Sequence, residues 1–192
     1  MRAYDEGDIA GRLTELLPHG RALFACACAE RLMASFRWFC GVSGYAHFET
    51  VREALDAAWT GPGAELLESG KASHVAGLAP EDQGGHLALG SAVAQNAVAC
   101  VAYALEVRRT GDVQEAVWAA RQLYDAADSV VQQGSAEQTY LEDIDREPPV
   151  QLLTQGIYSL LDAIHDGVPL ADLIANARQE ADAFLAFVNG SG

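Results

Sequence analysis

The sequence predicts an all-α fold: a single domain spanning residues 1–192, built as a bundle of about seven to eight helices with two apolar central ones. Three observations carry this. Alanine, the best helix former, occurs 35 times. The strand-favouring residues are not gathered into alternating runs. Glycine and proline divide the chain into helix-length segments. A chain of 192 residues can bury one sizeable core, and no stretch is long and polar enough to act as an interdomain linker.

The first helix is predicted over Asp5 to Leu17, stopped by Pro18. The second, Pro18 to Cys40, carries only four charged residues after its first turn: Arg21, Glu30, Arg31 and Arg37. A helix apolar around most of its circumference belongs inside a domain. Gly41-Val42-Ser43-Gly44 is expected to break it. A third helix, His47 to Thr60, places Phe48, Val51, Leu55 and Trp59 on one stripe, and Gly61-Pro62-Gly63 ends it. A short helix over Ala64 to Lys71 precedes a loop, Gly77 to Gly85.

The fifth helix, His86 to Arg109, contains the uncharged stretch Leu87 to Leu105. That stretch approaches membrane-spanning length. It is mostly alanine with Gln95 and Asn96 inside, so a buried central helix is the reading and a membrane span is not. Asp112 reads as the N-cap of a helix over Val113 to Gln133, with Gly134 as its stop. Glu137 to Ile144 is a further turn or helical extension. Pro148-Pro149 open a helix ending near His165. Pro169 opens the last one, to about Val188, with Leu170, Leu173, Ile174, Ala177, Ala181, Phe184 and Val188 on one stripe.

The net charge is −15. Residues 1–100 carry seven basic and 12 acidic groups, a net of −5, and residues 101–192 carry five and 15, a net of −10. Nucleic-acid binding needs a basic patch, and anionic membrane surfaces need the same; neither partner is expected. The acidity serves solubility and could steer a basic protein partner. Cys26, Cys28, Cys40 and Cys100 include no Cys-x-x-Cys pair, so they read as buried, reduced thiols of a cytoplasmic protein. The start, MRAYDEGDIAGR, lacks the apolar core of a signal peptide.

The segment Leu17 to Trp59 combines Leu17-Pro18, an apolar run into Cys28-Ala29-Glu30-Arg31, an aromatic-rich turn and a helix ending at Trp59. In this it resembles the YjaG-like bacterial family of unknown function (domain of unknown function 416). The likeness continues more loosely through the alanine-rich helix and its partner, and into EPPVQLLTQGIYSLLDAI. It implies a compact all-α bundle, bacterial and cytoplasmic. It implies no activity and no functional residues.

Among individual residues, Glu30 and Arg31 stand out because an ionisable pair in an apolar helix must be paired, hydrogen-bonded or neutral. The structural reading pairs Glu30 with an arginine of a neighbouring helix, Arg52 or Arg121; the functional one makes it a pocket carboxylate. Asp56, Gln95 and Asn96 are the other candidates for polar groups in an interhelical pocket. His74, Glu81, Asp82 and His86 match no metal-site spacing, and no cofactor or metal is predicted. The acidic run Glu142, Asp143, Asp145 and Glu147 lacks calcium-loop spacing and reads as a solvated connection, with a docking patch for a basic partner as the alternative. Phe36, Trp38, Phe39 and Tyr45 read as core aromatics. Nucleophile-elbow, phosphate-loop, dinucleotide and zinc-protease motifs are all missing, which removes the well-marked enzyme classes.

These readings favour a protein–protein binding module, either immunity-like towards a basic toxin or an adaptor. The alternatives are a small-ligand binder or enzyme with an interhelical pocket, and a homo-oligomeric structural protein, a homodimer being the simplest.

Overall fold

Burial along the second helix organises the whole structure. In the computed structural model, which describes residues 2–61, 70–134 and 144–190, this helix (α2, Pro18–Ser43) is buried without interruption from Phe24 to Met33. Such a helix must be surrounded. Its neighbours are α3 (Phe48–Thr60), α5 (Ala88–Thr110), α6 (Val113–Gly134), α7 (Pro148–His165) and α8 (Leu170–Gly190). With α1 (Glu6–Glu15) and the short α4 (Lys71–Ala76), eight α-helices and no strand occur among the described residues, so the fold is the expected all-α bundle.

The central pair is α2 and α5, as the sequence implied. Helix α5 buries Val93, Ala94, Ala97, Val98, Val101 and Ala104, small or branched residues that allow close approach to the alanines and cysteines of α2. It is the one described helix long and apolar enough to cross a membrane, yet 67% of its apolar window is buried inside the protein. A core helix has this pattern. One continuous apolar cluster joins residues of every described α-helix.

Most helix ends follow their local signals. The Asp5 side chain accepts from the Gly7 and Asp8 amides and caps α1. Asp112 accepts from Gln114 and Glu115 at 2.7 and 3.1 Å and caps α6. Pro148 opens α7. The exception is the end of α2, expected at Cys40. The helix continues through Gly41 and stops at Gly44, whose left-handed φ of 74° lets its amide reach the Cys40 carbonyl. A glycine inside a helix costs only about 1 kcal/mol, whereas the terminating left-handed position nearly requires one.

Three further expectations are corrected. Lys71 begins a described helix rather than ending one; residues 62–69 of the predicted short helix lie outside the described residues, as do 135–143 and with them Glu142 and Asp143. Leu170 is 40% exposed and not part of the buried stripe of α8. Arg121 does not reach Glu30 but pairs with Glu6 and Asp125 on the surface.

Two arginines fix the helix ends around the site. Arg21 donates to the Leu13, Thr14 and Gly111 carbonyls, tying the end of α1 to the α5–α6 turn. Arg108, on α5, donates to the Ala58 and Trp59 carbonyls and satisfies the end of α3. These carbonyls have no partner within their own helices. Arg108 thereby also holds Trp59 in place.

Candidate functional site

Adjacent positions on α2 point about 100° apart, so Glu30 and Arg31 serve two different interfaces. Glu30 is 3% exposed and faces α3 and α8. Arg52 of α3 donates through Nη1 to both of its carboxylate oxygens at 2.9 Å. Trp59 donates its indole N–H to Oε2 at 3.1 Å. Arg178 of α8 donates through Nε to Oε1 at 2.9 Å. A buried carboxylate with this many charge-assisted donors stays ionised. Burial by itself would raise its pKa, but the hydrogen bond from Arg178, the charge of Arg52 and the Trp59 hydrogen bond together bring it below the ordinary carboxylate value. Arg52 in turn reaches Asp56 through Nη2 at 2.6 Å.

Arg31, 2% exposed, turns the other way. Its Nε donates to Glu180 of α8 at 2.6 Å, and its terminal nitrogens donate to the Ala27 and Gly156 carbonyls. Gly156, in the middle of α7, is where that side chain passes. A Cβ there would overlap Glu180 Oε2 and lie 3.1 Å from Arg31 Nε. The last helix therefore supplies one member of each pair, Arg178 for Glu30 and Glu180 for Arg31.

Above Glu30 opens a cavity of about 530 Å³ between α2, α3 and α8. Small-molecule sites span roughly 300–1,000 Å³. Glu30 and Arg52 form part of its lining together with Met33 and Trp38 of α2. Phe48 on α3 and Leu185 on α8 add apolar wall, and Arg37, Arg178 and Asp182 stand around it. The Arg37 guanidinium lies 4.7 Å from the centroid of the Phe48 ring, a cation–π arrangement that leaves its N–H groups pointing away from the ring. Arg178 is 61% exposed, and beyond its Nε bond to Glu30 its terminal nitrogens have no acceptor among the described residues.

The other candidates lie elsewhere. Asp56 sits on the outer face of α3, 56% exposed, against Arg52. Gln95 donates to the Pro80 carbonyl and to Asp82, fastening the 79–84 loop, and Asn96 bonds back to the Ala92 carbonyl of its own helix. Neither lines the cavity. Asp82 is thus engaged with Gln95, and no group of three metal-ligating side chains forms among the described residues. Phe36 and Phe39 are buried, Trp38 is half-buried, and Tyr45 donates its hydroxyl to the Leu78 carbonyl.

All four cysteines are buried and free. Burial pushes Cys26 and Cys28 up to about 12 and Cys40 to about 11. A thiol is nucleophilic as its thiolate, so these groups are inert at neutral pH. Arg178, Glu180 and Gly156 carried no signal in the sequence; Arg37 and Trp59 were visible, but as a helix charge and a core stripe.

No protein-family model matches the chain, and no curated protein does. Among solved structures, a DUF416 family protein from Shewanella baltica OS155 is similar, with a TM-score of 0.71 and 17% sequence identity over 91% of this chain and 93% of that chain. The chain therefore has the fold of a DUF416 family protein over nearly the whole of both chains, the fold that the resemblance around Cys28-Ala29-Glu30-Arg31 implied.

Proposed function

We propose that the protein is a small-ligand binding protein, with the cavity between α2, α3 and α8 as its site. One observation carries this reading: the cavity of about 530 Å³ combines an apolar wall with a buried, ionised floor that is already neutralised by the protein's own groups. A floor fixed by hydrogen bonds from three directions is preorganised, so a ligand meets a rigid surface. The polar groups further out, Arg37 and the free nitrogens of Arg178, are then available for recognition. Nothing at the site has the nucleophile–base arrangement of a hydrolase, and binding without turnover is the function that the groups support.

The test is a thermal-shift and calorimetric screen of chemically mixed small molecules against the wild type and Ala34→Trp. Ala34 lines the cavity, so the indole would fill it. Hits that bind the wild type and fail with the folded variant support the reading. Hits indifferent to the block, or a screen with none, would refute it.

A second reading, a binding module for a basic protein, is favoured by a different surface. Trp118 of α6 is 42% exposed and lies 5.7 Å, centroid to centroid, from Tyr103 of α5. Burial and the neighbouring Glu106 and Asp112 raise the pKa of Glu115 beside this pair, the mark of crowded negative charge. Exposed aromatics among carboxylates suit lysine and arginine side chains. Self-association into a homodimer would use the same rings. Affinity capture from host lysate at low and high salt, with wild type and Trp118→Ala, tests this. A partner held at low salt by the wild type and released by the variant is the expected outcome; equal capture by both removes this surface from consideration. The buried, free cysteines support a reducing compartment, and we place the protein in the cytoplasm on that ground.

A further inference from the structure

We infer that the cavity above Glu30 selects a small organic anion, a carboxylate or phosphate carried on an apolar body. This rests on the small-ligand reading and adds the ligand's chemistry. The chain as a whole, at −15, repels anions. The cavity lining reverses that sign: Arg37, Arg52 and Arg178 against Glu30 and Asp182 leave a net of +1.

How the charges are used matters more than their sum. Glu30 takes Arg52 and the Nε of Arg178, so the buried carboxylate is satisfied and does not compete for a ligand's position. What remains is the pair of terminal nitrogens on Arg178 and the whole guanidinium of Arg37, neither with an acceptor among the described residues. Guanidinium N–H groups match carboxylate and phosphate oxygens in a two-pronged geometry. Arg37 is also seated on the face of Phe48, which restricts its motion and lowers the entropy lost on binding. The remaining surface, Met33, Trp38 and Leu185, is apolar and suits the body of the ligand. The single free carboxylate, Asp182, limits the charge that fits to one or two, and disfavours polyanions such as nucleic acid.

Four probes of one shape separate the possibilities: phenylacetate, phenyl phosphate, the neutral phenylacetamide and the cationic phenethylamine. Calorimetry on the full chain is expected to show one or both anions binding at least about tenfold tighter than the amide, since charge-assisted hydrogen bonds are the stronger ones. Which of the two binds more tightly distinguishes a carboxylate from a phosphate site. Arg37→Gln is expected to remove about tenfold of the anion's affinity and none of the amide's, with an unchanged melting temperature, because Arg37 makes no ion pair among the described residues. Arg178→Gln should weaken anion binding further, read at a temperature where the variant is folded. Equal binding of amide and anion, preference for the amine, or no binding by either anion would overturn the inference. In those cases the mixed screen against Ala34→Trp still decides, separately, whether the cavity binds anything.

Discussion

Glu30→Ala is expected to lower the stability of the protein by on the order of 3 kcal/mol, a fall in melting temperature of roughly 10 °C for a chain of this size. The magnitude follows from what is left behind. Without the carboxylate, Arg52 retains one partner on its exposed side, Asp56, while its inner nitrogens face an emptied space; its Nε is already buried without an acceptor. The Trp59 indole N–H, buried in the same place, loses its acceptor too. An uncompensated buried charge and an orphaned donor are both expensive. The bond to Arg178 contributes little by comparison, because that side chain is 61% exposed and screened by water. Arg178→Ala should therefore cost well under half of what Arg52→Ala costs. The pH dependence follows the same carboxylate. Its folded pKa lies below the ordinary 4.5, so its contribution is fully present above that value and is lost as pH falls through the folded one. The difference in melting temperature between wild type and Glu30→Gln should be flat above about pH 5 and shrink steadily below pH 4.5. A Glu30→Ala variant that melts like the wild type would show that the network supports nothing.

The need for that network was legible before its geometry was. An acid and a base in the middle of a helix apolar on every side must find partners, and the stripe on α3 put Arg52 within reach. Arg178 and Glu180 were not legible. They lie about 150 residues further along the chain, on a helix whose charged positions look like any solvated face, and only the packing of α8 against α2 and α7 brings them in. Gln95 and Asn96 misled for the converse reason. A polar side chain in an apolar helix signals that it has a partner without saying whether the partner is a ligand, a loop or the helix's own backbone; here it is a loop for one and the backbone for the other. Caps and helix starts were readable because the signal and its consequence lie within four residues of each other. The cavity was not, because it is formed by what three distant helices leave unfilled.

Gly156→Ala tests how the second ion pair is held, and the expected sign is opposite to the intrinsic preference. Alanine is favoured over glycine in a helix by about 1 kcal/mol, and Gly156 sits well inside α7. The new methyl, however, would occupy the position of Glu180 Oε2. Glu180 is the part able to move, being a quarter exposed at the end of a flexible side chain. Its departure leaves the Arg31 guanidinium buried with only the Ala27 and Gly156 carbonyls. Losing the charged partner of a buried arginine costs about 3 kcal/mol, so a net loss of roughly 2 kcal/mol is expected. The decisive comparison is the double variant. With Glu180→Ala already made, the obstacle and the ion pair are both gone. Gly156→Ala should then be neutral or stabilising by up to about 1 kcal/mol. Chemical denaturation of the four proteins of this cycle gives the coupling directly. If the two substitutions simply add, Gly156 is not the opening through which Arg31 reaches Glu180. If the coupling is about 3 kcal/mol, the glycine exists to let a buried arginine on the central helix meet its carboxylate across the face of its neighbour.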